Sequence, residues 1–399
     1  MLTRILVNTA LMLMFLPSVA VGQTACGNTK LACLIPTVLH TPPATFNFFN
    51  SAFGTQISQL PLPSRASGFL YTFDKSQGVY AQSQLSFGPV LTERAETIGR
   101  GRAYFSTTYQ RFSFSQIDNN SLRNLPILFY FPNTQEPLVV TSVNTRVSAT
   151  INQYVGAATF GVTDRLDVSI AVPFARVSMG VSAQGTEYST MSSATATFSE
   201  FLPGEASGAG DVVISAKHRT LMREKFDLAV GGEFRIPSGD AENFLGSGAF
   251  GLEPYVVISH RGRLTPHLDL AYQWNSHSVL ATNASGQRDL LPGFFSYTAG
   301  ADFGVTRRVT VTGDLLGQVF FNAPQVSTSK MLSAPVNNAS QSFKTIVQES
   351  GSYPAENLAL GVKANLWNNI LITGNVTLKL NNSGLRATAV PLVGISYTF

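Results

Sequence analysis

At 399 residues, with a formal net charge of +4, 13% charged residues and a mean hydropathy of +0.12, the chain is close to neutral in charge and in hydropathy. Charge this weak and scattered excludes a nucleic-acid surface. Beyond the N-terminus there is no unbroken apolar run of about 18 residues, which excludes a helical membrane protein. The 28 Phe and 33 Gly fit strands that alternate apolar with small or polar residues, as the wall of a membrane barrel does.

Residues 1–22 read as a secretory signal peptide. Arg4 supplies the positive charge, Ile5 to Leu16 the apolar core, and Ala20-Val21-Gly22 the small residues before cleavage at Gln23. Cys26 and Cys33 follow. Export implies an oxidising compartment, so the two are expected to pair as a disulfide.

Residues 23–98 read as an N-terminal segment outside the barrel pattern. Within it Phe46, Phe49, Phe53, Ile57 and Leu60 recur at helical spacing until Pro61 and Pro63 end the run. Two placements fit this amphipathic helix: plugging a lumen, or lying at the periplasmic mouth. Phe69–Thr72 and Val79–Ser86 are candidates for a further hairpin.

Residues 99–399 read as a closed antiparallel transmembrane β-barrel, an all-β fold. Twelve strands are expected, at about 102–115, 139–161, 166–183, 209–221, 226–237, 248–260, 266–281, 293–305, 308–323, 355–367, 370–381 and 386–399. Fourteen is the alternative if the 69–86 hairpin joins the wall. Short turns such as Thr163-Asp164-Arg165, Arg223-Glu224-Lys225, Arg261-Gly262-Arg263, Thr306-Arg307-Arg308 and Asn368-Asn369 alternate with mostly longer loops. Those loops fall near 116–137, 184–208, 238–247, 282–291, 324–353 and 382–385. Sorting by length puts the short turns in the periplasm and the long loops outside the cell. In 267–274, Leu268, Leu270, Tyr272 and Trp274 alternate with His267, Asp269 and Gln273. The apolar face is assigned to lipid and the polar face to the lumen. Alternation slips at Pro173–Phe174, where a bulge, and with it a lateral opening in the wall, is expected. Trp274, read as mid-strand, and Trp367, beside a turn, do not share a girdle.

The inner face collects charge. Lys217, Arg219, Arg235 and Lys363 fall there with Asp227, Glu233, Glu253, Asp269, Asp302 and Asp314. These groups either pair with one another and hold a plug, or form a charged constriction that selects solutes. Arg94 and Glu96 are placed to tie the N-terminal segment to them. No enzyme constellation is present: the five histidines are scattered, no metal spacing is found, and no catalytic residue or cofactor is expected. Ser238–Asn243 lacks a complete calcium loop and reads as a solvated turn.

The chain closes on Val393, Ile395, Tyr397 and Phe399 on one face, with Gly394, Ser396 and Thr398 on the other. The spacing Gly394-x-x-Tyr397-x-Phe399 resembles the C-terminal assembly signal of bacterial outer-membrane barrels. It implies the barrel-assembly machinery as a partner, engaged through Phe399.

Several stretches resemble a known family. They are Gly161-Val162-Thr163-Asp164-Arg165-Leu166-Asp167-Val168 with Val172-Pro173-Phe174, then Gly208-Ala209-Gly210-Asp211-Val212-Val213, then Arg235-Ile236-Pro237-Ser238-Gly239-Asp240, and Leu245-Gly246-Ser247-Gly248. Phe87-Gly88-Pro89 and Glu93-Arg94-Ala95-Glu96-Thr97-Ile98-Gly99 belong to the same likeness. Together they resemble the outer-membrane transporter family named for the MetA pathway of phenol degradation, which is similar in plan to FadL-type channels. The resemblance covers roughly 50–399. It implies residence among the lipids of the bacterial outer membrane and uptake of small hydrophobic or aromatic compounds. A general diffusion porin for polar solutes, and a structural or adhesive barrel acting through its loops, remain alternatives.

Overall fold

A computed structural model of the chain describes residues 30–39, 47–60, 62, 64, 71–74, 79–82, 86–131, 139–283, 287–327, 330–367 and 369–399. Residues 1–22 and Cys26 lie outside the described residues, and the expected Cys26–Cys33 pairing with them. Twelve antiparallel strands close into a barrel. They are β1 (Ala103–Ile117), β2 (Val139–Thr163), β3 (Leu166–Ser189), β4 (Val212–Met222), β5 (Phe226–Ile236) and β6 (Gly251–His260). The other six are β7 (Leu264–Asn275), β8 (Phe294–Thr306), β9 (Val309–Val326), β10 (Gln348–Trp367), β11 (Ile370–Lys379) and β12 (Ala389–Thr398). Each strand pairs with its sequence neighbours, and β12 pairs with β1 to complete the wall. Closure leaves no free edge in lipid, where an unpaired backbone N–H or C=O has no water to turn to.

The hairpin formed by Tyr71–Asp74 and Val79–Gln82 pairs with itself as a separate two-stranded sheet. It adds nothing to the wall, so the fourteen-strand alternative is set aside. Some expected loops are also ordered strands. β3 continues to Ser189 and the chain returns along it as Thr195–Ala209. Residues 125–131 pair with β2, and 330–336 pair with 339–345. Serine, threonine and glycine in these stretches read as loop, but an outward face in water needs no apolar alternation.

The slip at Pro173–Phe174 has the same cause. Register runs unbroken through Val155↔Pro173 and Tyr154↔Phe174, so there is no bulge there. Instead the direction of burial changes character. Below that level Val168, Ile170, Val172 and Phe174 point outward and are exposed, while Asp167 and Ser169 point inward and are buried. Above it Ala175, Val177, Met179, Val181 and Ala183 are the buried inward set, and Arg176 and Gln184 lie on the outer face. β2 does the same, with Tyr154 and Phe160 outward below, and Val143, Val147 and Ile151 inward above. These two strands leave the lipid near residues 153 and 174. Below that point apolar belongs outside; above it, as in a water-soluble barrel, apolar belongs inside. The rule of an apolar exterior and polar lumen therefore holds for the membrane-spanning part of these strands alone.

Aromatic side chains mark both edges of the lipid belt. At the short-turn end Phe105 meets Phe399 edge-on at 5.7 Å, and Tyr397 meets Phe399 at 4.5 Å. At the other end Phe234 stacks on Phe250 at 5.9 Å and Tyr272 lies 4.5 Å from Trp274. Trp274 sits at the end of β7, one residue before its last, and not mid-strand. Trp367 ends β10 at the opposite rim, 74% exposed. Leu264 to Trp274 is one belt height; at about 3.3 Å per residue and about 40° of tilt it spans roughly 25 Å, the thickness lipid requires.

Orientation follows from the loops and is open to direct test. Gly262→Cys in a short turn should stay unlabelled by a membrane-impermeant maleimide on intact cells, while Ser340→Cys in the 330–345 hairpin labels. The reverse pattern overturns the orientation.

Candidate functional site

The lumen has three levels, and the N-terminal segment takes part in each. At the short-turn end, residues 86–100 run along the inner wall. Phe87 N–H donates to Thr310 Oγ1 (3.0 Å), Glu93 N–H to Asp269 Oδ2 (2.9 Å), Ala95 N–H to Ser259 Oγ (3.1 Å) and Ile98 N–H to Asp167 Oδ2 (3.0 Å). Side chains complete the attachment. Lys217 Nζ reaches Glu93 Oε2 (3.1 Å) and the Arg94 carbonyl (2.9 Å), and Ser259 donates to Glu96 Oε2 (2.8 Å). Ser86 donates to Asp302, and Lys363 to the Pro89 carbonyl. Thr92 Oγ1 lies 3.1 Å from His267 Nε2, which lies 2.7 Å from Asp314 Oδ1. A segment with no regular structure cannot pair its own backbone, so its buried N–H groups are satisfied by wall hydroxyls and carboxylates. Arg94 and Ala95 have no solvent exposure at all.

Two glycines permit this fit. Gly161 faces Gly99 so closely that a Cβ would stand 1.9 Å from the Gly99 oxygen. Gly88 takes a φ of +76°, and its missing side chain leaves the place where the Arg94 guanidinium lies. Beside the segment, Arg219 makes two bonds to Asp227 Oδ1 (3.0 and 2.7 Å), and Arg261 closes on Asp227 Oδ2 at 2.5 Å. Buried pairs of this kind add little net stability, but stranding one partner is costly.

The middle level holds a cavity of about 270 Å³. One side is apolar and aromatic, with Phe112, Phe114, Ile151 and Phe244. The other carries Glu233, Arg235, Glu253 and Gln273. Arg235 donates to Asn275 Oδ1 (2.6 Å) and to the Ser58 carbonyl. Ser58 is the last residue of α2 (Asn47–Ser58), so a cation sits at that helix's negative end.

The top level is an apolar seal. α1 (Leu34–Val38) and α2 bury Leu34, Ile35, Phe49 and Phe53 against Phe112, Phe114, Phe244 and the inward aliphatic residues of β2 and β3. Phe53 stacks on Phe244 at 4.7 Å and meets Phe114 at 5.6 Å. Lys30 Nζ anchors the start of this segment to Asp240 Oδ2 at 2.8 Å, and that hydrogen bond raises the Lys30 ammonium above its ordinary value.

Motifs distant in sequence meet at the rim. Asp211 Oδ1 accepts from Gly239 N–H (3.1 Å); its Oδ2 accepts from Ser247 N–H (2.8 Å) and Ser247 Oγ (2.5 Å). Ser238 Oγ donates to the Gly210 carbonyl (2.8 Å) and accepts from Val212 N–H (3.1 Å). This binds the long-loop ends of β4, β5 and β6 together. At Gly210–Asp211 the partner of β3 changes from 195–209 to β4, with one extra residue between Ala171↔Val213 and Phe174↔Ala209. The wall irregularity expected at Pro173 therefore lies on the strand opposite it, and Gly210 N–H still donates to the Pro173 carbonyl at 2.8 Å.

Of the residues singled out from the pattern, Lys217, Arg219, Asp227, Asp269, Asp302, Asp314 and Lys363 gather at the short-turn level. Glu233, Arg235 and Glu253 line the cavity. Phe174 faces lipid at 50% exposure, while Pro173 lines the cavity. Sequence reasoning missed His267 and Asp167 as anchors of the N-terminal segment. Their period-two placement among inward polar residues was the available signal. It also missed the inward apolar face of β2 and β3. Among the described residues no cluster of His, Cys, Asp and Glu is arranged to hold a metal ion.

No family model matches the chain and no curated protein matches it, so the family likeness of its short motifs stays a resemblance. Among solved structures the chain is similar to an outer-membrane channel from Pseudomonas putida, at 12% identity over 76% of this chain and 98% of that one, with a TM-score of 0.44. It is also similar to the NanC porin, at 8% identity over 73% and 98% with a TM-score of 0.40. A FadL homologue of Pseudomonas aeruginosa shares 10% identity over 85% and 98%, with a TM-score of 0.31.

Proposed function

We propose that this chain is an exported, bacterial outer-membrane channel that admits small hydrophobic or aromatic compounds. One observation carries the reading. The cavity of about 270 Å³ has an aromatic wall and lies beneath an apolar seal, with a segment filling the lumen below it. A polar solute crossing that seal loses its hydration with nothing in return. An aromatic one exchanges water for Phe49, Phe53, Phe114 and Phe244. The burial of Arg94 and Ala95 inside the lumen supports this reading over a general porin, which needs a wetted path. For the exit of an apolar solute toward lipid we favour the change of strand pairing at Gly210–Asp211, opposite Pro173 and beside the cavity. Residues 1–22 as a cleaved signal, the Cys26–Cys33 disulfide and docking of Phe399 on the assembly machinery complete the proposal.

Paired permeation assays test it. Cells carrying the barrel as their only added channel should take up a toluene-sized aromatic faster than cells without it, and a disaccharide no faster. Faster entry of the sugar, with aromatic entry unchanged, contradicts the proposal and favours a diffusion porin.

A further inference from the structure

We propose that the outer wall where β12, β1, β2 and β3 run side by side carries a binding site for one anionic phospholipid of the periplasmic leaflet. The wall there is dented. Two rows of outward residues cross it: Tyr397, Phe105, Ala158 and Ile170 at one height, and Ile395, Thr107, Gly156 and Val172 at the next. Thr107, Gly156 and Ala158 are small, so the larger residues on either side stand as banks of an apolar groove of about 650 Å³. The space over Gly156 is open: a Cβ there would find its nearest heavy atom, the Val172 oxygen, 4.0 Å away.

Below the groove, past the outward Phe160 and Val162, the wall ends in two cations. The turn joining β2 to β3 presents Arg165, and the chain entering β1 presents Arg100, held beside β2 by the Gly101 N–H to Gly161 carbonyl bond of 2.8 Å. Both arginines are exposed, and neither makes an ion pair among the described residues. The nearby Asp164 carboxylate is already engaged by the Arg100 backbone N–H at 3.2 Å. From Ala158 to the end of β2 is about five residues, roughly 16 Å of strand and about 13 Å of depth at about 40° of tilt. That matches one leaflet of a lipid belt roughly 25 Å tall. An acyl chain lying in the groove thus brings its phosphate to the two guanidinium groups, whose planar forks suit phosphate oxygens.

Charge alone does not make the site. Arg223, Lys225, Arg307 and Arg308 also sit in short turns at this end of the barrel. Above them the outer faces are filled by side chains such as Phe226, Leu268, Phe303 and Val311, whereas above Arg165 the outward Phe160, Val162 and Val168 give way to the groove at Ala158 and Gly156. The groove distinguishes Arg100 and Arg165, and the other turns serve as an internal control.

Retention of phosphatidylglycerol by the purified full-length barrel, read by native mass spectrometry in competition with phosphatidylcholine, tests the proposal. The wild type should retain one phosphatidylglycerol. Arg100→Gln with Arg165→Gln should weaken retention about thirtyfold, from roughly a factor of five per cation at a lipid surface. Arg307→Gln with Arg308→Gln should leave it unchanged. Gly156→Leu, which fills the groove, should abolish retention while the barrel still migrates as a folded, heat-modifiable species; Ala158→Phe is the second filling variant if the first does not fold. Equal loss from both arginine pairs, or full retention in a folded groove-filled variant, overturns the proposal. So does displacement of the lipid by inorganic phosphate alone, because the groove would then contribute nothing.

Discussion

Asp227→Ala is expected to destabilise the barrel by about 3–5 kcal/mol, the cost of breaking a buried ion pair from one side. Asp227 has no solvent exposure and answers two cations, Arg219 and Arg261. Its removal strands Arg219, whose side chain is 7% exposed, and loosens Arg261 in the adjoining turn. Asp227→Asn should cost less, because the amide oxygen still accepts from Arg219. Equilibrium urea unfolding in lipid vesicles separates these cases. A loss below about 1 kcal/mol for the alanine variant, the range of an exposed pair, contradicts a buried role for this group.

Leu270→Arg is expected to cost about 2–4 kcal/mol, the penalty for arginine near the bilayer midplane of a barrel. Leu270 lies at the middle of β7 on the outer face, 39% exposed. The informative partner is Asn144→Arg, also outward but on the part of β2 above the lipid. It should fall within about 0.5 kcal/mol of wild type, as an ordinary surface change does. Comparable losses at the two positions remove the boundary drawn near residues 153 and 174.

That boundary shows where sequence reading reached and where it stopped. Twelve strands, their neighbours and the facing of residues 226–236 or 264–275 follow from period-two alternation, because each face there meets one medium throughout. In β2 and β3 the outer face meets lipid and then water. The pattern therefore inverts at Tyr154 and Phe174, and from sequence alone the inversion looks like a bulge at Pro173. The 195–209 strand looked like loop for a related reason: apart from Phe201, its outward residues are Thr195, Thr197, Ser199, Pro203, Glu205, Ser207 and Ala209, which carry no apolar alternation. For the site, the inward charges were legible through the same alternation. Their partners were not. Lys217 meets Glu93, and Asp167 meets the Ile98 N–H, through a segment with no period to read. Arg94 and Glu96 could be picked out as tethers, but Ser259 and Lys217 as their counterparts depend on how an irregular backbone is threaded. The gathering of Gly239 and Ser247 on Asp211 is likewise a product of closure, since strands β4 to β6 bring together residues that sequence holds far apart.

In the proposed channel the N-terminal segment occupies the lumen and leaves no wide aqueous path. Conductance across planar bilayers measures this most directly. The intact protein is expected to show low ion conductance, and a variant lacking residues 23–98, which removes α1, α2, the apolar seal and the wall-bound 86–98 segment, a higher one with altered uptake of a small aromatic probe. Large, steady conductance from the intact protein, unchanged by the deletion, would contradict the account.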